Sequence, residues 1–386
     1  MDSKEVYYEQ GKKKTIDNFP GELYDKRINF LIGSGASFGA LKTLSTEYTK
    51  DGEKISFEDI ASTLENDDKK DIARMMFSEK YCKDIIKPSY TMNYEDQTEV
   101  LENYIKWLEY IFFLLSAKKI NDAKRCNIFT TNYDLFIEYA ANRIIEEKKT
   151  CVFNDGGNGF FKRYLHAQNF NRHMVDVGVF DNFVTEIPVI NLIKLHGSVS
   201  WKHTDDSICV DYDKTFPFDL PTLSKNYLDE VKTFEELSDI DIADEDAKEL
   251  VAFWDKYKKI PIVNPTKWKF NETVLEQHYY QMLRLLSYEL EKKNVYLIVF
   301  GFSFKDEHIY DLVSRSLLNP DLTVIIFCFN KDDVDNMKEK FGGYKNVFLI
   351  HKHKKNDENS IEPLTFADFN SIISGNADKD TWKVIE

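Results

Sequence analysis

Six short apolar runs constrain what this chain can fold into more than any other feature of it. Residues 28–32, 126–129, 189–195, 295–300, 323–329 and 346–350 are each four to seven residues long and rich in Ile, Val, Leu and Phe. They read as buried β-strands. Between them lie stretches that read as helix: 104–115, a helix opening at 135–140, another around 272–292, and 332–341. Strands alternating with helices predict an α/β fold, a Rossmann-like, doubly wound, mostly parallel sheet with helical insertions.

At 386 residues the chain can bury one large core or two ordinary ones. No internal repeat or low-complexity linker divides it, which predicts a single domain over residues 1–386. That domain would carry a helical insertion at about 40–120, a loop-rich one at about 151–186 and an acidic one at about 220–260. The turn cluster Asp155-Gly156-Gly157-Asn158-Gly159 marks the second. The run of acids from Asp229 to Asp246 marks the third, as an insertion or a solvated helical face. The tail beyond Phe369 is expected to be loosely held.

A hydrophobic content of 42% excludes a disordered chain. No apolar run is long enough to span a bilayer. The opening residues Met1-Asp2-Ser3-Lys4-Glu5-Val6 lack the apolar stretch and cleavage site of a signal peptide, so a cytoplasmic location is expected. Cys82, Cys126, Cys151, Cys209 and Cys328 are widely spaced with no Cys-x-x-Cys. They support neither a zinc module nor a disulfide framework, and reduced, mostly buried thiols are expected. Formal charge is 51 − 66 = −15, which opposes phosphate backbones. The basic runs Lys12-Lys13-Lys14 and Lys352-His353-Lys354-Lys355 read as solvated surface. Neither direct nucleic-acid binding nor a membrane partner is expected.

Four segments stand at the carboxyl ends of predicted strands, where an open α/β sheet binds its ligands. Gly33, Gly35 and Gly39 follow the first strand as Gly-x-Gly-x-x-x-Gly, one residue longer than the dinucleotide fingerprint. Glycine there lets the backbone approach a pyrophosphate, and amides at a helix start serve the anion; a tight turn without a ligand fits the same residues. Thr130-Thr131-Asn132-Tyr133-Asp134 follows the second strand. Its carboxamide and carboxylate can grip ribose hydroxyls or orient a water, or cap the next helix as an Asx-type turn. His196-Gly197 ends the third, placing an imidazole where general-base work near neutral pH is feasible. His166, His173, His203, His278, His351 and His353 have no such context. Gly301-Phe302-Ser303 ends the fourth and can receive a ribose or adenine, and Asp306 follows as a helix N-cap compatible with ligand contact.

In this order and spacing the segments resemble the sirtuin superfamily, and within it the sirtuin-like NAD hydrolases of bacterial anti-phage defence. Gly33-Ser34-Gly35-Ala36-Ser37 looks like that family's Gly-Ala-Gly-x-Ser cofactor loop. Thr130-Thr131-Asn132-Tyr133-Asp134 looks like its Thr-Gln-Asn-Ile-Asp segment, which implies a catalytic Asn132 and a ribose-facing Asp134. His196-Gly197 is similar to the catalytic His-Gly, and Gly301-Phe302-Ser303 to the late Gly-x-Ser at the cofactor. The resemblance covers about residues 28–318. Protein-deacylating sirtuins continue their glycine loop with Gly-Ile-Pro-Asp-Phe-Arg, where this chain has Phe38-Gly39-Ala40-Leu41, and they carry a four-cysteine zinc module absent here. Both departures count against peptide deacylation.

The resemblance implies hydrolysis of NAD⁺ to nicotinamide and ADP-ribose, with NAD⁺ as substrate and no further cofactor or metal. Depletion of NAD would serve abortive infection. Asn132, His196 and Asp134 would be catalytic, and Gly33, Ser34, Gly35, Ala36, Ser37, Thr131, Gly301, Ser303 and Asp306 would bind the dinucleotide. ADP-ribosyl transfer, deacylation and a non-catalytic NAD or ADP-ribose sensor are the alternatives. Control is expected through a homo-oligomer or a HerA-like hexameric ATPase.

Overall fold

The computed structural model describes residues 7–9, 12–14, 23–44, 46–119, 122–147, 150–180, 183–204, 207–265, 273–354, 357–377 and 382–385. The chain start at 1–6 and the expected helix start at Glu272 lie outside them. Nine strands form one sheet: β1 Arg27–Ile32, β2 Arg125–Thr130, β3 Val152–Asn154, β4 Val189–Lys194, β5 Val295–Phe300, β6 Leu322–Phe327, β7 Val347–Lys354, β8 Asp357–Glu362 and β9 Trp382–Ile385. Their order is β8-β7-β6-β5-β1-β2-β4-β3, with β9 also on β7. The pairs from β7 to β3 are parallel, and β8 and β9 run antiparallel to β7.

All six predicted strands are present, and alternation along each one divides the core. Tyr296, Ile298 and Phe300 of β5 enter one cluster, while Val295, Leu297 and Val299 enter the other. On the first face, Phe30 of β1 meets Trp107 of the helix Thr98–Ala117 edge-on, ring centroids 5.1 Å apart. There Phe300 also packs on Phe366 and Phe369 of the helix Phe366–Ile373, at 5.0 and 4.7 Å. On the second face lie Leu286 and Leu290 of Thr273–Leu290, Ile309 and Val313 of Glu307–Ser316, and Met337 and Phe341 of Lys331–Phe341. Helices covering both faces of a mainly parallel sheet make the fold Rossmann-like and doubly wound.

One polar row crosses this apolar interior. Asn29, Asn127, Asn191 and Asn154 stand in register on β1, β2, β4 and β3. Asn127 Nδ2 donates to Asn29 Oδ1 at 2.8 Å, Asn191 Nδ2 to Asn127 Oδ1 at 2.8 Å, and Asn154 Nδ2 to Asn191 Oδ1 at 2.9 Å. A slip of one residue would turn each carboxamide to the other face and break the row, so the ladder fixes register.

Three features differ from the sequence reading. Val152–Asn154, expected to begin a loop-rich insertion, is the parallel edge strand β3. The tail past Phe369 is not loose throughout, because Trp382–Ile385 pairs with Leu349–Lys352 of β7. Among the described residues of 40–56 stands a short hairpin, Thr49–Lys50 with Glu53–Lys54, and the helix that follows begins at Phe57. The five cysteines are free, four of them buried. Among the described residues no helix is long and apolar enough to cross a membrane.

Candidate active site

Register sets the carboxyl ends of four adjacent strands at one level. Ile32 of β1 faces Phe300 of β5 on one side and Thr130 of β2 on the other, and Thr130 faces Lys194 of β4. The residues that follow are therefore neighbours: Gly33, Thr131, Leu195-His196 and Gly301. Strand order reverses at β1, since the chain proceeds to β2 and β4 on one side and returns to β5, β6 and β7 on the other. Such a switch point is where an open sheet forms its ligand crevice.

Gly33 and Gly35 lie backbone-to-backbone against Gly301. Gly33 N donates to Phe300 O and Gly35 N to Gly301 O, both at 3.0 Å. A Cβ on Gly33 would stand 2.3 Å from Gly301 O, and one on Gly35 2.7 Å from Gly301 Cα. These glycines answer first to the close approach of two loops. Ala36 N donates to Gly33 O at 3.1 Å, so the amides of Gly33, Gly35 and Ala36, in the loop expected to cradle a pyrophosphate, are used within the protein. Ser34 and Ser303 are exposed at the rim, and Thr131 is half-buried.

Ser37 ends the 3₁₀ turn Ser34–Ser37 facing inward. Its Oγ donates to Asp134 Oδ2 at 2.8 Å and lies 2.9 Å from Tyr104 Oη. Asn132 Nδ2 approaches both Ser37 Oγ and Tyr104 Oη at 3.4 Å. The Asn132 backbone is fixed as well, its N–H donating at 3.1 Å to Thr130 Oγ1, which donates at 2.8 Å to Ile32 O. Asn132 Oδ1 is buried with no hydrogen-bond partner among the described residues. An unmatched buried acceptor costs about 1–3 kcal/mol, so this atom is the one suited to a hydrogen brought by ligand or water.

Both oxygens of Asp134 already accept a hydrogen bond within the protein. Oδ2 accepts from Ser37 and Oδ1 from the Phe136 amide at 3.2 Å, an Asx-type turn just before the helix Phe136–Glu146, whose N-cap is Leu135. Burial pushes its carboxyl above the ordinary range, opposed by the Lys194 ammonium and the Ser37 hydroxyl. Lys194, buried at the end of β4, donates to the Asp134 carbonyl and pairs with Glu138 Oε1 at 3.0 Å. Burial raises the Glu138 carboxyl too, with Lys194 pulling against it. One ammonium thereby ties β4 to the loop that carries Asn132.

His196 Nε2 stands 2.9 Å from Asp306 Oδ2. The two atoms are close, but their geometry falls outside that of a hydrogen bond. The imidazole keeps 13% exposure, while its Nε2 is buried. Asp306 also caps the helix Glu307–Ser316, its Oδ1 accepting from Ile309 N at 3.1 Å. His196 O accepts from Val263 N at 2.8 Å. Gly197, at φ +85°, lies so close to residue 261 that a Cβ would be 2.2 Å from Pro261 O. Tyr133 Oη donates to Val263 O at 3.3 Å, linking the Asn132 loop to the His196 loop. Tyr81, on the π-helical stretch Phe77–Ile86, packs edge-on against Tyr133 at 6.2 Å. Burial raises the Tyr133 and Tyr279 hydroxyls, and the Asp306 charge adds to the effect.

Sequence reasoning named His196 and Asp306 separately, and the structure brings them together. It missed Tyr104, Lys194 and Glu138. Tyr104 gave no signal, because it belongs to an aromatic helical run that reads as core. Lys194 gave one: a charge inside an apolar strand must find a partner. Among the described residues no group of three or more His, Cys, Asp or Glu could hold a metal ion.

A family model described as "SIR2-like domain" matches residues 127–350. No curated protein matches the chain. Among solved structures, one described as the crystal structure of a Sir2 homolog–NAD complex is similar at 12% identity, covering 83% of this chain and 85% of that one, with a TM-score of 0.35.

Proposed function

This chain belongs to the SIR2-like domain family, and from that premise we propose that it hydrolyses NAD⁺ to nicotinamide and ADP-ribose at the crevice beyond β1, β2, β4 and β5. The observation that carries the proposal is the placing of two groups at neighbouring strand ends: an unsatisfied acceptor, Asn132 Oδ1, and an imidazole beside a carboxylate, His196 with Asp306. In the reaction, the bond between ribose C1′ and the pyridinium nitrogen breaks. Its electron pair stays on that nitrogen, so nicotinamide departs neutral. A water oxygen bonds to C1′, and its proton passes to the His196 nitrogen turned away from Asp306. Positive charge spreads over C1′ and the ring oxygen in between, as in glycoside cleavage. Asn132 Oδ1 supports that charge and accepts a hydrogen from the water or a ribose hydroxyl. Asp306 Oδ2 lies within 2.9 Å of Nε2, and a bond that tightens when the ligand enters would hold the imidazole in one tautomer, the part a carboxylate plays beside a catalytic histidine.

We assign the resulting loss of NAD to anti-phage defence by abortive infection, gated by self-association or by a HerA-like hexameric ATPase; only the family resemblance supports this part. The test is nicotinamide release from NAD⁺ by the purified chain, alone and with such an ATPase, beside Asn132→Ala and His196→Ala. Release should fall by ~10²-fold or more in both variants, the scale of a lost acid–base group. Release that persists in both would place the chemistry elsewhere.

A further inference from the structure

Proton counting in the buried group between β1 and β2 leaves one arrangement. With Asp134 ionised, the form that the Lys194 ammonium and the Ser37 and Phe136 donors favour against burial, the carboxylate can only accept, so Ser37 Oγ gives its single proton to Asp134 Oδ2, 2.8 Å away. Ser37 Oγ is then an acceptor toward Tyr104, and the single Tyr104 proton goes to it across 2.9 Å. Both hydroxyl oxygens now offer Asn132 lone pairs alone. The carboxamide atom that approaches both at 3.4 Å must therefore be Nδ2. Oδ1 is turned the other way, and it is the buried atom with no partner.

We propose that Asp134, Ser37 and Tyr104 form a one-way hydrogen-bond chain that fixes the orientation of the Asn132 carboxamide, so that it presents its oxygen and not its NH₂ to the ligand. The three act through Asn132 and are positioning residues. The choice matters for a ribose that develops positive charge: a carbonyl oxygen stabilises that charge, whereas an NH₂ group opposes it. Asp134 thus takes a different duty from the ribose contact the resemblance implied. The identity of the ligand rests on the NAD⁺ reading, but the orientation itself does not.

Two substitutions address the chain while sparing the fold around it. The Tyr104 ring is held by stacking on Phe136 (5.5 Å, planes 3° apart) and by edge contact with Phe366 at 4.9 Å, so Tyr104→Phe removes only the hydroxyl. Asp134→Asn keeps the shape but supplies a donor, which lets the chain run backwards and the Asn132 amide turn over. Each variant should lower kcat for nicotinamide release by about tenfold or more with KM little changed, the loss expected of one hydrogen bond acting in the transition state. The double variant should be no more than about twofold slower than the worse single, because both act on one orientation. Effects that multiply, or that fall on KM alone, would overturn the proposal. A second readout needs no turnover. With ¹⁵N-labelled asparagine in the full chain, the Asn132 side-chain NH₂ is identified by its absence in Asn132→Ala. Its hydrogens should exchange slowly in wild type and faster in Tyr104→Phe, and fast exchange in wild type would reject the orientation. A wild type that orders this amide yet leaves NAD⁺ intact would sink the hydrolase reading and leave the orientation standing.

Discussion

Asp306 spends its two oxygens on two elements, one on the N-terminus of the helix Glu307–Ser316 and one on His196. Asp306→Asn separates the two duties. Asparagine caps a helix about as well as aspartate, so stability should stay within about 1 kcal/mol. The amide can donate where the carboxylate could only accept, which favours the wrong imidazole tautomer. Steady-state kinetics should show kcat for nicotinamide release falling by ~10²-fold or more, with unfolding by denaturant little changed. Full activity in this variant would remove Asp306 from the mechanism. At this scale the sequence was half legible. Asn132, His196 and Asp306 could be named because each sits at a recognisable strand end or helix start. That Asp306 meets His196, and that Tyr104 meets Asn132, depends on which strands lie side by side. Residue order alone does not contain that information.

Elements were easier to read than their joins. Strands β1, β2, β4, β5, β6 and β7 were visible because burial on both faces leaves apolar runs with little else in them. β3 and β9 were not, because three or four residues at a sheet edge carry no such run. The asparagine ladder was also hidden: Asn29, Asn127 and Asn191 look like isolated interruptions until the strands are aligned. Its energetic weight can be measured. Asn127→Ala removes one bond to Asn29 and one from Asn191, leaving both partners buried with bonding capacity unmet. Each such loss costs about 1–3 kcal/mol, so denaturant unfolding should show a loss of about 2–6 kcal/mol. A loss under about 1 kcal/mol would mean that the row contributes little beyond what water would supply.

Across the whole molecule, the matched family segment, residues 127–350, contains Asn132, His196, Gly301 and Asp306 but neither β1 nor the turn Gly33–Ser37. The fold supplies that connection. β1 enters between β5 and β2, and its glycines close on Gly301. Ser37 then reaches Asp134 from the far side of the crevice. A parallel sheet with a single reversal of strand order has one such crevice, and every residue given a role here stands at its rim or just beneath it. In the proposed reaction water, not an acyl group or another protein, receives the ADP-ribose. The most direct test is to follow NAD⁺ consumed by the purified chain, with the ATPase partner if it is needed, and to quantify nicotinamide and free ADP-ribose with and without an acetylated peptide. Equal amounts of the two products, formed at the same rate in both conditions, are expected. Consumption that requires the peptide, with ADP-ribose recovered as an acylated or protein-bound product, would contradict that reaction.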